Sequence, residues 1–270
     1  MPTDKPTKPT DSVAATRRPR GAFERLVAHR PDPLTSVVLT IPVFLVYHLG
    51  VLLIDYRNGV DLVTELTFRL LEASVPSYVG VTLLVAVGLL VAIWVQRRRG
   101  HVRPADLGSI VAESALWAGL MVVSVGWAAA QLRAALSAEV PLSQWLSLAT
   151  ALSTAELLAM GPLDRVVMAA GAGFHEELVF RVGLLAGGAH LLKTLRGQHP
   201  LLAWGLSALV SSLLFSAVHH LGPLGEPWVL DVFTFRTLAG LYLSAVYVLR
   251  GFAVAVYTHT LYDILVFFVF

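Results

Sequence analysis

Cysteine is absent from all 270 residues. That excludes disulfides, thiolate nucleophiles and Cys-ligated zinc or iron–sulfur centres. Charge is scarce as well, at 14% of residues, where a soluble domain would carry about a quarter. An HExxH zinc signature is missing, and so is any repeat of the length that solenoids use. What fills the chain is apolar: 56% of residues are hydrophobic and the mean hydropathy is +0.70. Such a composition describes a polytopic membrane protein. In lipid the backbone must satisfy its own polar groups, so helices are the expected elements and the fold class is an all-α transmembrane helix bundle.

Residues 1–30 form the polar exception, with Pro2, Pro6, Pro9 and Pro19 among Lys5, Lys8, Arg17, Arg18, Arg20, Arg25 and Arg30. This reads as a disordered cytoplasmic tail under the positive-inside rule, rather than a nucleic-acid arm or a cleaved signal peptide. Residues 31–270 form the membrane domain. Apolar runs predict spans over about 34–54, 78–95, 109–130, 166–192, 201–221, 232–249 and 251–270. Only Arg250-Gly251 separates the last two, which demands a tight hairpin. The basic clusters at 97–103 and 193–196 belong on the same side, so an even number of spans lies between them. That argument makes 142–160 an interfacial helix on the outer surface and not a span. About seven spans result, with a cytoplasmic N-terminus, in a multi-pass protein expected in a bacterial inner membrane.

Ionisable residues inside these runs are expensive and read by default as functional. The fourth run holds Phe174-His175-Glu176-Glu177-Leu178-Val179-Phe180-Arg181. Helical spacing puts Glu177 and Arg181 on one face, one turn apart, where they can pair. Glu176 points about 100° away and is free to address something else. The fifth run holds Phe215 and His219, and the seventh holds His259 and Asp263, each pair again at i, i+4. Three helices presenting acids and imidazoles from the membrane interior suggest one shared polar pocket. Its side chains suffice for activating water and stabilising an oxyanion.

The order EExxxR, FxxxH and HxxxN or HxxxD on successive spans resembles the CPBP intramembrane proteases, also called the Abi or type II CAAX prenyl endopeptidase family. The resemblance covers about residues 160–270. It implies an endopeptidase that cleaves a peptide bond next to a membrane-embedded or lipidated C-terminal segment of a protein substrate. By position, Glu176 corresponds to the general base that activates water and His219 to its imidazole partner. His259 and residue 263 correspond to the group that steadies the oxyanion, and Glu177 with Arg181 would hold the site together. The family often has Asn at the last position. Asp263 cannot donate a hydrogen bond unless protonated, and is expected instead to orient His259.

Other readings stand beside this one. Glu176, Glu177, His219, His259 and Asp263 are a chemically plausible zinc set, although the resemblance implies glutamate-dependent catalysis with no metal or other cofactor. A prenyl-protein endopeptidase, a non-catalytic scaffold or immunity protein, and a transporter are the functional alternatives; no inverted repeat supports the last. Counted from Lys193, Glu176 lies about 25 Å up its helix, which favours a site opening outward and a substrate such as a C-terminal sorting signal. Glu113 is expected either to line the cavity or to bond between helices. Arg236 is expected to snorkel to the headgroups. His220 should take a surface role, His175 could assist Glu176, and His48, His190 and His199 should be interfacial or packed.

Overall fold

The computed structural model describes residues 33–54, 75–98, 104–135, 160–221 and 228–269. Among these the elements are all helices: α1 (Pro33–Leu39), α2 (Ile41–Gly50), α3 (Val75–Arg98), α4 (Pro104–Ala135), α5 (Pro162–Arg196), α6 (Pro200–Val218), α7 (Leu230–Arg250) and α8 (Phe252–Val269). The basic tail and residues 142–159 of the expected interfacial helix lie outside the described residues.

Five helices are long and apolar enough to cross a membrane: α4 over Asp106–Ala135, and α5, α6, α7 and α8 over their full lengths. They coincide with the third to seventh expected spans. The first expected span is divided. α1 ends at Leu39, and α2 starts at Ile41 with a proline in its first turn. Pro42 lacks an N–H and is accommodated where an α-helix leaves that group unused, so the chain restarts there instead of running through. Hydropathy measures apolar length and is blind to this break. The second expected span lies within α3, whose apolar stretch is Val79–Gly88.

Local signals set the ends of the longer helices. α5 starts at Gly161-Pro162, and the Asp164 carboxylate accepts the Gly161 N–H at 2.7 Å, one half of a capping box that also sets an acid against the helix N-terminus. It stops at Gly197, which has a left-handed φ of 59°. Between α7 and α8 stands Gly251 alone, with φ 89°. Positive φ is costly for any residue with a Cβ, so the hairpin demanded by Arg250-Gly251 is made by the glycine.

α8 lies at the centre. It packs against α4, α5, α7 and α1, and its residues from Phe252 to Thr260 are buried without interruption. α6 packs on α5 and α7. α5, α6, α7 and α8 thus form a ring in which α6 and α8 face each other across the middle. α5 and α8 approach closely at Gly173, where a Cβ would come within 2.9 Å of the Thr260 nitrogen and of the Val256 carbonyl oxygen. Small residues at such contacts let membrane helices touch backbone to backbone.

Two ties mark one end of the bundle: Arg165 Nη1 donates to the Phe267 carbonyl at 2.8 Å, and Arg133 pairs with Asp231 at 2.6 Å. At the other end Arg250 forms a two-pronged pair with Glu113 at 2.5 and 2.8 Å, and Trp117 Nε1 donates to the same carboxylate at 3.1 Å. Of the two readings for Glu113, it therefore takes the helix-to-helix one, joining α4 to α7.

Candidate active site

The middle of α5, Ala172–Gly187, is wound as a π-helix, flanked by α-helical turns at Pro162–Gly171 and Gly188–Arg196. Wide turns of this kind are rare and concentrate at functional sites. Closing a turn at i+5 places more than 3.6 residues in it, so successive side chains diverge by less than the roughly 100° of an α-helix. The divergence of Glu176 from Glu177 narrows but persists, and Glu176 turns to partners other than Arg181. Both carboxylates reach the same imidazole, His259 on α8. Its Nδ1 lies 2.9 Å from Glu177 Oε1, and its Nε2 lies 3.9 Å from Glu176 Oε2. Ser211 on α6 donates its hydroxyl to the Phe180 carbonyl at 2.5 Å and pins α6 to the altered segment.

Glu177 and Arg181 pair at 3.2 Å, and both side chains are 0% exposed. Isolated, either charge would be very costly in such surroundings, whereas a pair with further partners is tolerated. The carboxylate uses one oxygen for Arg181 and the other for His259. The guanidinium lies over the Phe215 ring, 4.7 Å from its centroid. Phe215 in turn sets its edge against Phe180, His219 and His259, with centroids 5.3, 5.0 and 6.0 Å away. This one ring fills the gap between α5, α6 and α8 and orients three polar neighbours.

His219 sits one residue beyond the last turn of α6. Its Nδ1 is 2.7 Å from the Phe215 carbonyl, a partner that can only accept, so Nδ1 carries the proton. In the neutral ring Nε2 is then an acceptor, and it faces Glu176 Oε2 at 3.7 Å. That separation is too long for a direct hydrogen bond, and a water shared by the two would sit beside the pair, off the line that joins them. Asp263 Oδ2 is 3.6 Å from His259 Nε2. His219 and Asp263 are the most open members of the set, at 20% and 16% side-chain exposure. They form the mouth, while Glu177 and Arg181 form the floor.

All six residues singled out in the sequence are therefore brought together, from three helices. Three further positions have neighbours that single residues do not show. Arg236 is half-buried with its Nε shielded, and besides any reach to the headgroups its charge is felt by His219, Tyr262 and Asp263. His220 is buried and stacks on Trp228 at 4.4 Å. His175 points away from the mouth, into a buried aromatic group with Tyr47, His48 and Phe174. Ser211 left no sequence signal, because a serine in an apolar helix is ordinary. Arg236 did leave one, as a cation inside a membrane run.

Among the described residues, no group of three or more His, Asp or Glu side chains has an arrangement able to hold a metal ion. The arrangement can hold a water against a carboxylate and an imidazole, with a second imidazole opposite, which is the equipment for hydrolysis of an acyl bond.

The family model for type II CAAX prenyl endopeptidase Rce1-like proteins matches residues 158–265, the stretch that contains every one of these side chains. No curated protein and no solved structure matches the chain. This chain is an integral, multi-pass membrane protein of all-helical build, and its residues 158–265 are similar to the type II CAAX prenyl endopeptidase Rce1-like family, a likeness that supports a protease kind of function.

Proposed function

We propose that the protein is an intramembrane endopeptidase in which Glu176 activates the attacking water. The observation that carries this reading is the placement of Glu176 between His219 and His259, at 3.7 and 3.9 Å, within the membrane-embedded ring. A water held by Glu176 Oε2 and His219 Nε2 gives a proton to Glu176 as its oxygen attacks the scissile carbonyl carbon. The carbonyl oxygen becomes the oxyanion and takes the Nε2–H of protonated His259. Nδ1 of that ring remains bonded to Glu177, and Asp263 holds its orientation. Collapse of the tetrahedral intermediate breaks the C–N bond, and Glu176 returns its proton to the departing amine. Glu177 and Arg181 contribute by fixing the ring of His259, with no direct part in proton transfer.

The substrate in this reading is a protein with a membrane-embedded segment beside the cleaved bond. His219 ends α6 at the bundle end marked by Arg165 and Phe267, while Arg98, Lys193, Arg196 and Arg250 lie towards the other. Positive-inside placement of those basic residues turns the mouth away from the cytoplasm. A C-terminal sorting signal presented from that side fits best. The family description favours the alternative, a prenylated tail presented from the cytoplasm.

Cleavage in reconstituted membranes tests both. Wild type and Glu176→Gln would be offered a tail from the outer face and a prenylated tail from the inner face, with and without EDTA. The expected result is cleavage of the outer tail by wild type, unaffected by EDTA, and a loss of about 10²–10⁴-fold in the Gln variant. Equal cleavage by Glu176→Gln would overturn the catalytic assignment. EDTA-sensitive cleavage would replace the glutamate mechanism with a metal one, and cutting of the inner tail alone would reverse the orientation.

A further inference from the structure

Three walls of the helix ring supply the six clustered residues; the fourth, α7, supplies Arg236. Its direction follows from helix register. Phe233 and Gly240 face α6: the Phe233 carbonyl accepts from Ser216 at 2.7 Å, and a Cβ on Gly240 would meet that of Ser212 at 2.9 Å. Phe235, Ala239 and Leu243 form the other stripe, in one buried cluster with Tyr262 and Val266 of α8 and with α4. At about 100° per residue, Arg236 falls between the two stripes. It is thus aimed at the space separating α6 from α8, where His219 and Asp263 stand. Its electrostatic influence on both residues agrees with that direction.

The charge inventory of that space says what such a cation does. Glu176, Glu177 and Asp263 all lie within 4 Å of the His259 ring, at 3.9, 2.9 and 3.6 Å. Arg181 is committed to Glu177 on the floor. Protonated His259 is shared among these three carboxylates, so in surroundings of low dielectric a further cation near the mouth favours Asp263 staying ionised and in place. We infer that Arg236 is a positioning residue: the counter-charge on α7 that holds Asp263 as a carboxylate against His259. This rests on the catalytic reading only for its functional consequence; the charge coupling itself is independent of it.

The test is a double-mutant cycle with Arg236→Gln, Asp263→Asn and the double variant, plus Arg236→Lys, all made in the full-length protein in detergent and in liposomes. The first readout is thermal unfolding, which needs no substrate. Arg236→Gln removes a cation near the half-buried Asp263 and should lower Tm by about 2 °C or more, and adding Asp263→Asn should recover most of that loss. The second readout is cleavage. Arg236→Gln should lower kcat about tenfold or more with KM within a factor of about three. Arg236→Lys should retain most of the activity, and the double variant should exceed Arg236→Gln. Additive effects of the two single changes on Tm would overturn the coupling. Coupled Tm values with kcat unchanged in Arg236→Gln would overturn the positioning role. If wild type cleaves nothing, the proposed function fails, and the unfolding cycle still decides the pairing.

Discussion

Ser211 on α6 gives its hydroxyl proton to the main-chain carbonyl of Phe180 on α5, 31 positions away, at 2.5 Å. The bond joins the helix that ends at His219 to the wide-wound segment that carries Glu176. It therefore fixes the two partners of the expected water relative to each other.

Ser211→Ala removes that donor and with it a buried bond between α6 and α5, at a cost of about 0.5–1.5 kcal/mol. Unfolding of the solubilised protein should register this as a fall in Tm, and cleavage should fall as well because the spacing between Glu176 and His219 loosens. Ser211→Thr, which keeps the hydroxyl, should stay closer to wild type on both measures.

The Glu177–Arg181 pair predicts an asymmetry between single and double changes. Arg181→Met strands a fully buried carboxylate and should cost about 3–5 kcal/mol, whereas Glu177→Gln with Arg181→Met should cost less than the single change. Guanidinium or thermal melts of these two variants beside wild type measure it. Equal losses would mean that Arg181 acts through its packing on Phe215 alone.

How much of this was legible in the sequence differs from residue to residue. Glu177 and Arg181 could be paired from spacing alone, since i, i+4 lies on one face whether the turn is α or π. The relation of Glu176 to Glu177 could not, because the angle between neighbours depends on which winding the segment adopts, and tertiary contacts such as that of Ser211 settle the winding. The apolar runs located α4 to α8 because burial in lipid writes itself directly into composition. Division of the first run at Thr40 depended on one proline inside an otherwise uniform stretch. The charge that Arg236 brings to the mouth was not legible, because its direction is set by the two faces that α7 buries, and a single sequence shows residues before it shows neighbours.

Gly173→Ala is expected to be harmful out of proportion to its size. The added methyl would press on the Thr260 nitrogen and the Val256 carbonyl at 2.9 Å, both main-chain atoms that cannot rotate aside. α5 and α8 would have to separate, drawing Glu177 from His259. Overpacking of this kind costs about 1–3 kcal/mol, and activity should fall further than Tm does, when compared with a control such as Gly205→Ala, where nothing stands within 4 Å.

Glu113 and Arg250 offer a control of the opposite kind. Their pair is partly exposed, at 28% and 31%, and lies at the far end of α7 from the mouth. Glu113→Gln should lower stability by no more than about 1 kcal/mol and leave kcat unchanged. A large loss of turnover on a stable protein would place this carboxylate in the substrate path.

Gly251 and the Arg165–Phe267 bond have a joint consequence for how a substrate is admitted. One residue of turn at the lower end of α8, and a main-chain tie at its upper end, leave that helix no room to slide along its neighbours. His259 and Asp263 therefore keep their height in the membrane whatever enters. Among the described residues, the end of α6 where His219 stands is held to α7 and its approach by the bond of Ser216 to the Phe233 carbonyl and by the stacking of His220 on Trp228. In the proposed reaction α8 is then the fixed gauge against which the scissile bond is measured.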